Sequence, residues 1–231
     1  MRPLTIERPK VLCPVGGTPL IDHAIGRLAS VGADVAVNTH RSQDDLREHL
    51  DGRAHVAVEE GERLGTAGAL GHLRSWIDGR ATVVVNGDTW CPGGIDALVD
   101  GWDGHCIRIL VGGDEPFGPR SRIAGALMPW DDVVRLEPVP SGLWEVSWRA
   151  AHEAGRVESV AYHGPFTDCA TPADYLALNL EVAGGSSIGE HAVVEGTVED
   201  GVVWDGAVVR PDEHLRRAIR TTGGRTVLIR N

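Results

Sequence analysis

Three side chains stand where phosphate or metal chemistry could be done: Lys10, Asp88 and Asp168. Lys10 is the one lysine among 22 lysines and arginines, set in Arg8-Pro9-Lys10-Val11-Leu12. A guanidinium is a planar fork, whereas an ammonium is a compact charge that can approach a phosphate oxygen from one side. The same position also fits an ordinary exposed lysine in an arginine-biased composition. Asp88 closes Asn86-Gly87-Asp88, directly after the apolar run Ala81–Val85. A carboxylate there either caps the following turn or holds a metal or ligand. Asp168 lies in Phe166–Tyr175, just outside a helix that has Thr171 as its cap and Pro172 in its first turn. Two carboxylates outside helix interiors could share one hard divalent cation, since magnesium takes few carboxylates and completes its shell with phosphate oxygens. The run Gly65-Thr66-Ala67-Gly68-Ala69 offers a different chemistry. Small residues at a strand-to-helix junction let backbone N–H groups approach an anion, and tight helix packing explains them equally well.

The elements that must position these groups alternate between helix and strand. Helical periodicity over Pro19–Val31 is followed by a strand at Asp34–Asn38, a polar helix at Gln43–Leu50 and a strand at Ala54–Val58. A helix at Thr66–Ile77 precedes Ala81–Val85, the most strand-like run in the chain. Ile95–Trp102 reads as helix and Cys106–Val111 as strand. This order predicts an α/β fold with a Rossmann-like, mostly parallel sheet covered on both faces. Ligands of such sheets gather at the carboxyl ends of the strands, which is where Asp88 stands. From Gly184 the texture changes. Ser187–Val198 and Val203–Val208 carry aliphatic residues roughly every six positions with glycines between them, the pattern of a short β-helical tail. The expected division is therefore 1–183 for the main domain and 184–231 for the tail, with self-association through the tail as an expectation.

Composition closes off several classes. A net charge of −11 argues against binding nucleic acid polymers or anionic membranes, yet leaves room for a small anionic ligand met by local cations or a metal. Cys13, Cys91, Cys106 and Cys169 show neither CxxC nor zinc spacing, which suits reduced thiols in the cytoplasm. No apolar run approaches the length of a membrane span. The ten histidines form no HxxxH or HxH pair. Trp130, Trp144 and Trp148 read as core and lid packing, in surroundings that could also line a sugar pocket with Glu145 as a hydroxyl acceptor.

Taken in order, Arg2-Pro3-Leu4-Thr5, Pro9-Lys10, Pro14-Val15, Pro19–His23, Leu64–Leu70, Val85–Asp88 and Asp168–Tyr175 resemble the sugar-1-phosphate nucleotidyltransferases, mannose-1-phosphate guanylyltransferase among them. The resemblance covers most of residues 1–183, and many members carry a left-handed β-helical tail. It implies an enzyme that joins an NTP and a sugar 1-phosphate into an NDP-sugar, releasing pyrophosphate without a covalent enzyme intermediate. Asp88 and Asp168 would hold Mg²⁺, and Lys10 would neutralise phosphate. Gly65, Thr66, Ala67 and Gly87, with Glu59 or Glu60 upstream, would face the nucleotide. Gly125, Glu145 and Thr171 would lie toward the sugar.

The resemblance also implies two departures. Family members open with a strand and a GxGTRLRPLT loop, and Met1 here stands at the last variable position before Arg2-Pro3-Leu4-Thr5. The intact later motifs favour translation from an upstream start. The other reading is a truncated relative that binds nucleotide or sugar phosphate without catalysis. Losing a central strand would expose two sheet edges. The family's Glu-Lys-Pro segment is also replaced by the shorter 112–122 stretch, where Arg120 or Arg122 would stand in for the lysine.

Overall fold

A computed structural model describes residues 1–40, 43–114 and 116–230, so Glu115 of the 112–122 stretch lies outside the described residues. In chain order the strands of the main body are β1 (Pro14–Val15), β2 (Thr18–Pro19), β3 (Ala36–His40), β4 (His55–Glu59), β5 (Thr82–Val84), β6 (Thr89–Trp90), β7 (Ile107–Gly112), β8 (Ile123–Met128), β9 (Val157–Tyr162) and β10 (Thr167–Asp168). The helices are α1 (Leu20–Ala29), α2 (Asp44–Leu50), α3 (Gly65–Ile77), α4 (Asp96–Val99), α5 (Trp130–Val133), α6 (Arg149–Glu153) and α7 (Pro172–Ala183).

Packing divides the chain into two units. One unit is Met1–Ala24, Gly87–Cys91 and Phe166–Asn231; the other is Ile25–Asn86 and Pro92–Pro165. The reason lies in the first unit's core. Leu4 from the N-terminal segment, Trp90 from β6 and Tyr175 from α7 share a buried cluster with Trp204 and Ile219 of the tail. The Tyr175 hydroxyl donates to Pro14 O and accepts from Trp204 Nε1 at 3.0 Å, which ties three distant stretches of sequence together.

The second unit carries the α/β layers. β3 and β4 pair in parallel, with Ala36 opposite His55. A four-stranded sheet has the order β5-β8-β7-β9, in which β9 runs parallel to β7 and β8 runs against both of its neighbours. The sheet is thus mixed: after ten intervening residues the chain returns as β8 directly beside β7, and the two pair antiparallel. Ile107–Val111 is buried throughout, as expected of a covered strand. Arg108 within it is tolerated because its guanidinium reaches Glu158 at 2.8 Å and Asp100 O at 2.7 Å. The expected helix at 95–102 is only four residues long. β5 is half-buried along its length although it is the most strand-like run in the sequence, because it borders its sheet.

The tail winds as a parallel coil. Its strands are β11 (Ser187–Ile188), β12 (Val193–Val194), β13 (Thr197–Glu199), β14 (Val202–Val203), β15 (Val208–Val209), β16 (His214–Arg216), β17 (Ala218–Arg220) and β18 (Thr226–Leu228). They stack in three parallel columns, β11-β14-β17, β12-β15 and β13-β16. Val203, Ala207, Val209, Leu215 and Ala218 fill the interior. β18 then turns back antiparallel along β17. No helix among the described residues is long and apolar enough to cross a membrane.

Candidate active site

The two acidic candidates are brought together by a pairing that the sequence pattern does not reveal. β6 and β10 run antiparallel with Asp168 opposite Thr89, so Asp88 and Asp168 emerge side by side from two short strands. Gly87, directly before Asp88, packs against Ile21, whose Cδ1 a Cβ there would meet at 2.8 Å. Lys10 begins a single tight turn over Lys10–Leu12, which follows extended Pro9 and is anchored by buried Leu12. Its ammonium donates to Asp88 Oδ2 at 2.9 Å and to Asp168 Oδ1 at 3.0 Å.

Exposure is unequal within this trio. The Lys10 side chain is 22% exposed, whereas the carboxylates are 48% and 62% exposed. Burial works against the charged ammonium, but hydrogen bonds and charge from Asp88 and Asp168 outweigh it and hold the Lys10 pKa above the ordinary lysine value. The neighbouring thiols are inert. Burial pushes Cys169 up to about 11 and Cys13 up to about 12, so neither supplies a thiolate at neutral pH.

The donor set suits a hard cation. Two carboxylate oxygens already converge on one positive charge, the Lys10 ammonium, and each carboxylate keeps a face toward solvent. No group of three or more histidines, cysteines or acids gathers anywhere among the described residues. A metal held by Asp88 and Asp168 would therefore take its remaining ligands from phosphate and water, which is the habit of magnesium.

Thr171, in the same unit, is occupied in capping α7. Its hydroxyl accepts from Asp174 N at 3.1 Å, and Asp174 Oδ2 accepts from both Thr171 N and Thr171 Oγ1 at 2.8 Å.

In the second unit the glycines of α3 are accounted for by close packing. Cβ atoms at Gly65, Gly68 and Gly71 would lie 2.6, 2.2 and 2.5 Å from backbone atoms of Ser141, Val139 and Glu137. The Ala67 amide donates to Ser141 O at 3.1 Å, and Ala67 is fully buried, so that amide is not available to a ligand. Gly65, at φ 68°, and Thr66 remain exposed at the helix start. Glu59 is buried and fastens the loop, accepting from Asn38 Nδ2 at 2.8 Å and Leu64 N at 3.2 Å. Glu60 is exposed. Gly125 is buried under Leu98, which a Cβ would approach to 3.2 Å. Glu145 is exposed and lines a cavity of about 230 Å³, together with Thr66, Asn86, Trp144 and Trp148. The two tryptophans, read from sequence as packing in surroundings that could also line a pocket, border this cavity.

The α/β fold, together with a family match over residues 5–159, places the chain in the class of NTP transferases. A solved Bacillus anthracis structure, provisionally named a glucose-1-phosphate thymidylyltransferase, superposes with a TM-score of 0.63 at 18% identity, covering 79% of this chain and 89% of that one. HddC from Yersinia pseudotuberculosis, solved with GMP-PN, gives 0.56 at 15% identity over 75% of this chain and 89% of that one. At such identities the likeness concerns fold alone. The chain belongs to the MobA-like NTP transferase domain family, whose sequence profile matches residues 5–159. It is 33% identical over 124 residues to N-acetylmuramate alpha-1-phosphate uridylyltransferase of Caulobacter vibrioides, covering 48% of this chain and 51% of that protein. It is 35% identical over 83 residues to the bifunctional protein GlmU of Listeria innocua, covering 35% of this chain and 18% of that protein. The chain thus spans about half the length of the first of these relatives and less than a fifth of the second.

Proposed function

We propose that the protein is a sugar-1-phosphate nucleotidyltransferase that forms an NDP-sugar and pyrophosphate from an NTP and a sugar 1-phosphate in the presence of Mg²⁺. The observation that carries this reading is the Lys10 ammonium held within 3.0 Å of two carboxylates from paired strands. In the reaction, an oxygen of the sugar phosphate attacks the α-phosphorus. The bond from that phosphorus to the β-bridging oxygen breaks, and the electron pair leaves on pyrophosphate. Little side-chain chemistry is required, because positioning and charge neutralisation carry most of such a displacement.

Asp88 and Asp168 would hold the metal, which when bound neutralises phosphate charge at the reacting centre. Lys10 is poised to exchange its carboxylate partners for a phosphate oxygen, and its raised pKa keeps it charged for that contact. At the start of α3, the exposed backbone of Gly65 and the hydroxyl of Thr66 remain for the nucleotide, with exposed Glu60 upstream in the sequence. The relatives' names supply the substrate classes, a nucleotide and a sugar 1-phosphate. Association of copies through the tail is part of the same reading, supported by the exposed Val193, Val194 and Val208 on one column of the coil.

Purified protein incubated with each NTP, Mg²⁺ and a panel of sugar 1-phosphates should release pyrophosphate with one preferred pair. Asp88→Asn should abolish that release while leaving the fold intact by circular dichroism. Full activity in Asp88→Asn would remove the metal assignment.

A further inference from the structure

Lys10 is reached along a short, stiff stretch of chain. Pro9 before it has no N–H and is held extended at φ −52° and ψ 143°, so where Glu7 and Arg8 are fixed decides where Lys10 starts. Both of those residues are fastened to the far end of the protein. The Glu7 carboxylate lies in the loop between β17 and β18. There it accepts from Thr221 Oγ1 at 2.8 Å, Arg225 Nε at 3.0 Å and Gly223 N at 3.2 Å. Gly223 leaves room for the carboxylate, since a Cβ there would meet Glu7 Oε2 at 2.8 Å. The loop is closed by its own backbone, Gly224 N to Thr221 O and Thr221 N to Arg225 O, each at 2.9 Å. Its donors are therefore in place before Glu7 arrives. Arg8 meets the same loop, donating to Thr222 Oγ1 at 3.4 Å, and its guanidinium lies 4.3 Å from the centroid of the Trp204 ring.

After Lys10 the chain is pinned again. Leu12, Cys13 and Val15 are buried, and the Tyr175 hydroxyl donates to Pro14 O. The lysine is thus fixed from both sides, while its own acceptors are the exposed carboxylates of Asp88 and Asp168. An acid with three donors would stabilise the loop wherever it came from; here it comes from three positions before the lysine. We propose that the loop closing the coil is a positioning device for Lys10, acting through Glu7 and Arg8 as positioning residues. The coil then belongs to the phosphate site, in keeping with the packing unit that joins Met1–Ala24 to Phe166–Asn231. This rests on the transferase reading for what Lys10 does to substrate, while its placement is a property of the free protein.

Because Lys10 is the one lysine, ¹⁵N-lysine labelling of the whole chain gives a single side-chain ammonium signal. Its proton exchange with water, measured without substrate, reads the hydrogen bonds to Asp88 and Asp168. Arg225→Met and Glu7→Gln should each speed that exchange at least about threefold in protein that stays folded by circular dichroism. Each should also lower the rate of pyrophosphate release about tenfold, since a small displacement of a positioned group is felt even from a distant substitution. Arg216→Met removes an arginine that pairs with Glu199 at 3.5 Å elsewhere on the coil, and should change neither. Unchanged exchange in either folded variant overturns the inference, and a lowered Tm alone would then assign the contact to stability. Faster exchange in Arg216→Met overturns it as well. The two variants remove opposite partners of one ion pair, so if one folds poorly the other decides; the Arg225 side chain is half-exposed, and its loss leaves the core intact. Faster exchange in both, with no pyrophosphate released by wild type, would uphold the positioning and reject the transferase reading. Wild-type release with unmoved exchange in the variants would do the reverse.

Discussion

If the Lys10 ammonium stands in the place a metal would take, replacing it with methionine should strengthen metal binding even as it damages turnover. The two carboxylate oxygens lie 2.9 and 3.0 Å from Nζ, so they are separated by no more than about 6 Å. Removing the cation deletes two charge-assisted contacts and leaves two negative charges facing each other. Both carboxylates are about half exposed, so each deleted contact is discounted to a surface value of about 0.5 kcal/mol. The mutual repulsion at an effective dielectric between protein and water adds about 1 kcal/mol. A divalent ion entering wild type must first displace the ammonium, whereas in Lys10→Met it relieves the repulsion. The difference is worth about 1–2 kcal/mol, or roughly tenfold in the Mg²⁺ dissociation constant measured without nucleotide. Isothermal titration of nucleotide-free protein reads it directly. Lys10→Arg should stay near wild type for metal, because a guanidinium keeps both carboxylates paired. Unchanged or weakened Mg²⁺ binding in Lys10→Met would refute the idea that ammonium and metal compete for one place. The pH dependence has a defined sign. The Lys10 pKa is raised, so its stabilisation is complete below the ordinary value of 10.5 and is lost as pH climbs through the folded-state value above it. The difference in Tm between wild type and Lys10→Met should be flat from neutral pH upward and shrink only past 10.5.

Three further outcomes test the packing on which the site rests. Tyr175→Phe strands the buried Trp204 indole N–H and should cost about 1–3 kcal/mol in urea unfolding. Gly68→Ala places a methyl 2.2 Å from Val139 O and should destabilise by about 1–3 kcal/mol, with a lowered Tm. Glu7 is pushed up by burial, but hydrogen bonds from Thr221, Arg225 and Gly223 outweigh this and hold its pKa below 4.5. Its contribution is therefore present above 4.5 and lost as pH falls through the lower folded value, so the stability advantage over Glu7→Gln should vanish in acid titration below that point.

Local periodicity revealed much of the fold. α1, α3, β4 and β7 fall within a residue or two of where apolar spacing puts them, because each buries one face or one run against a single core. β8 and β9 were not legible: Ile123–Met128 and Val157–Tyr162 lack clean alternation, and the glycines and prolines on either side do not by themselves mark a strand. Of the site, residue types pointed to Lys10, Asp88 and Asp168, but nothing local could show that β6 and β10 pair across 76 intervening residues. The α3 glycines illustrate the converse limit. A small-residue run fits an anion cradle and a close helix contact alike, and only the backbone of 137–141 lying on that stripe tells them apart.

The way the tail ends has a consequence of its own. A parallel coil is open-ended by nature, because each rung presents the same edge it received and invites another. Here β18 doubles back against β17, with Ile219 opposite Val227, and fills the last edge of that column with a strand of the wrong polarity for another turn. The antiparallel strand therefore closes that one column to a further parallel rung, so another copy cannot extend the β11-β14-β17 ladder end-on past β17.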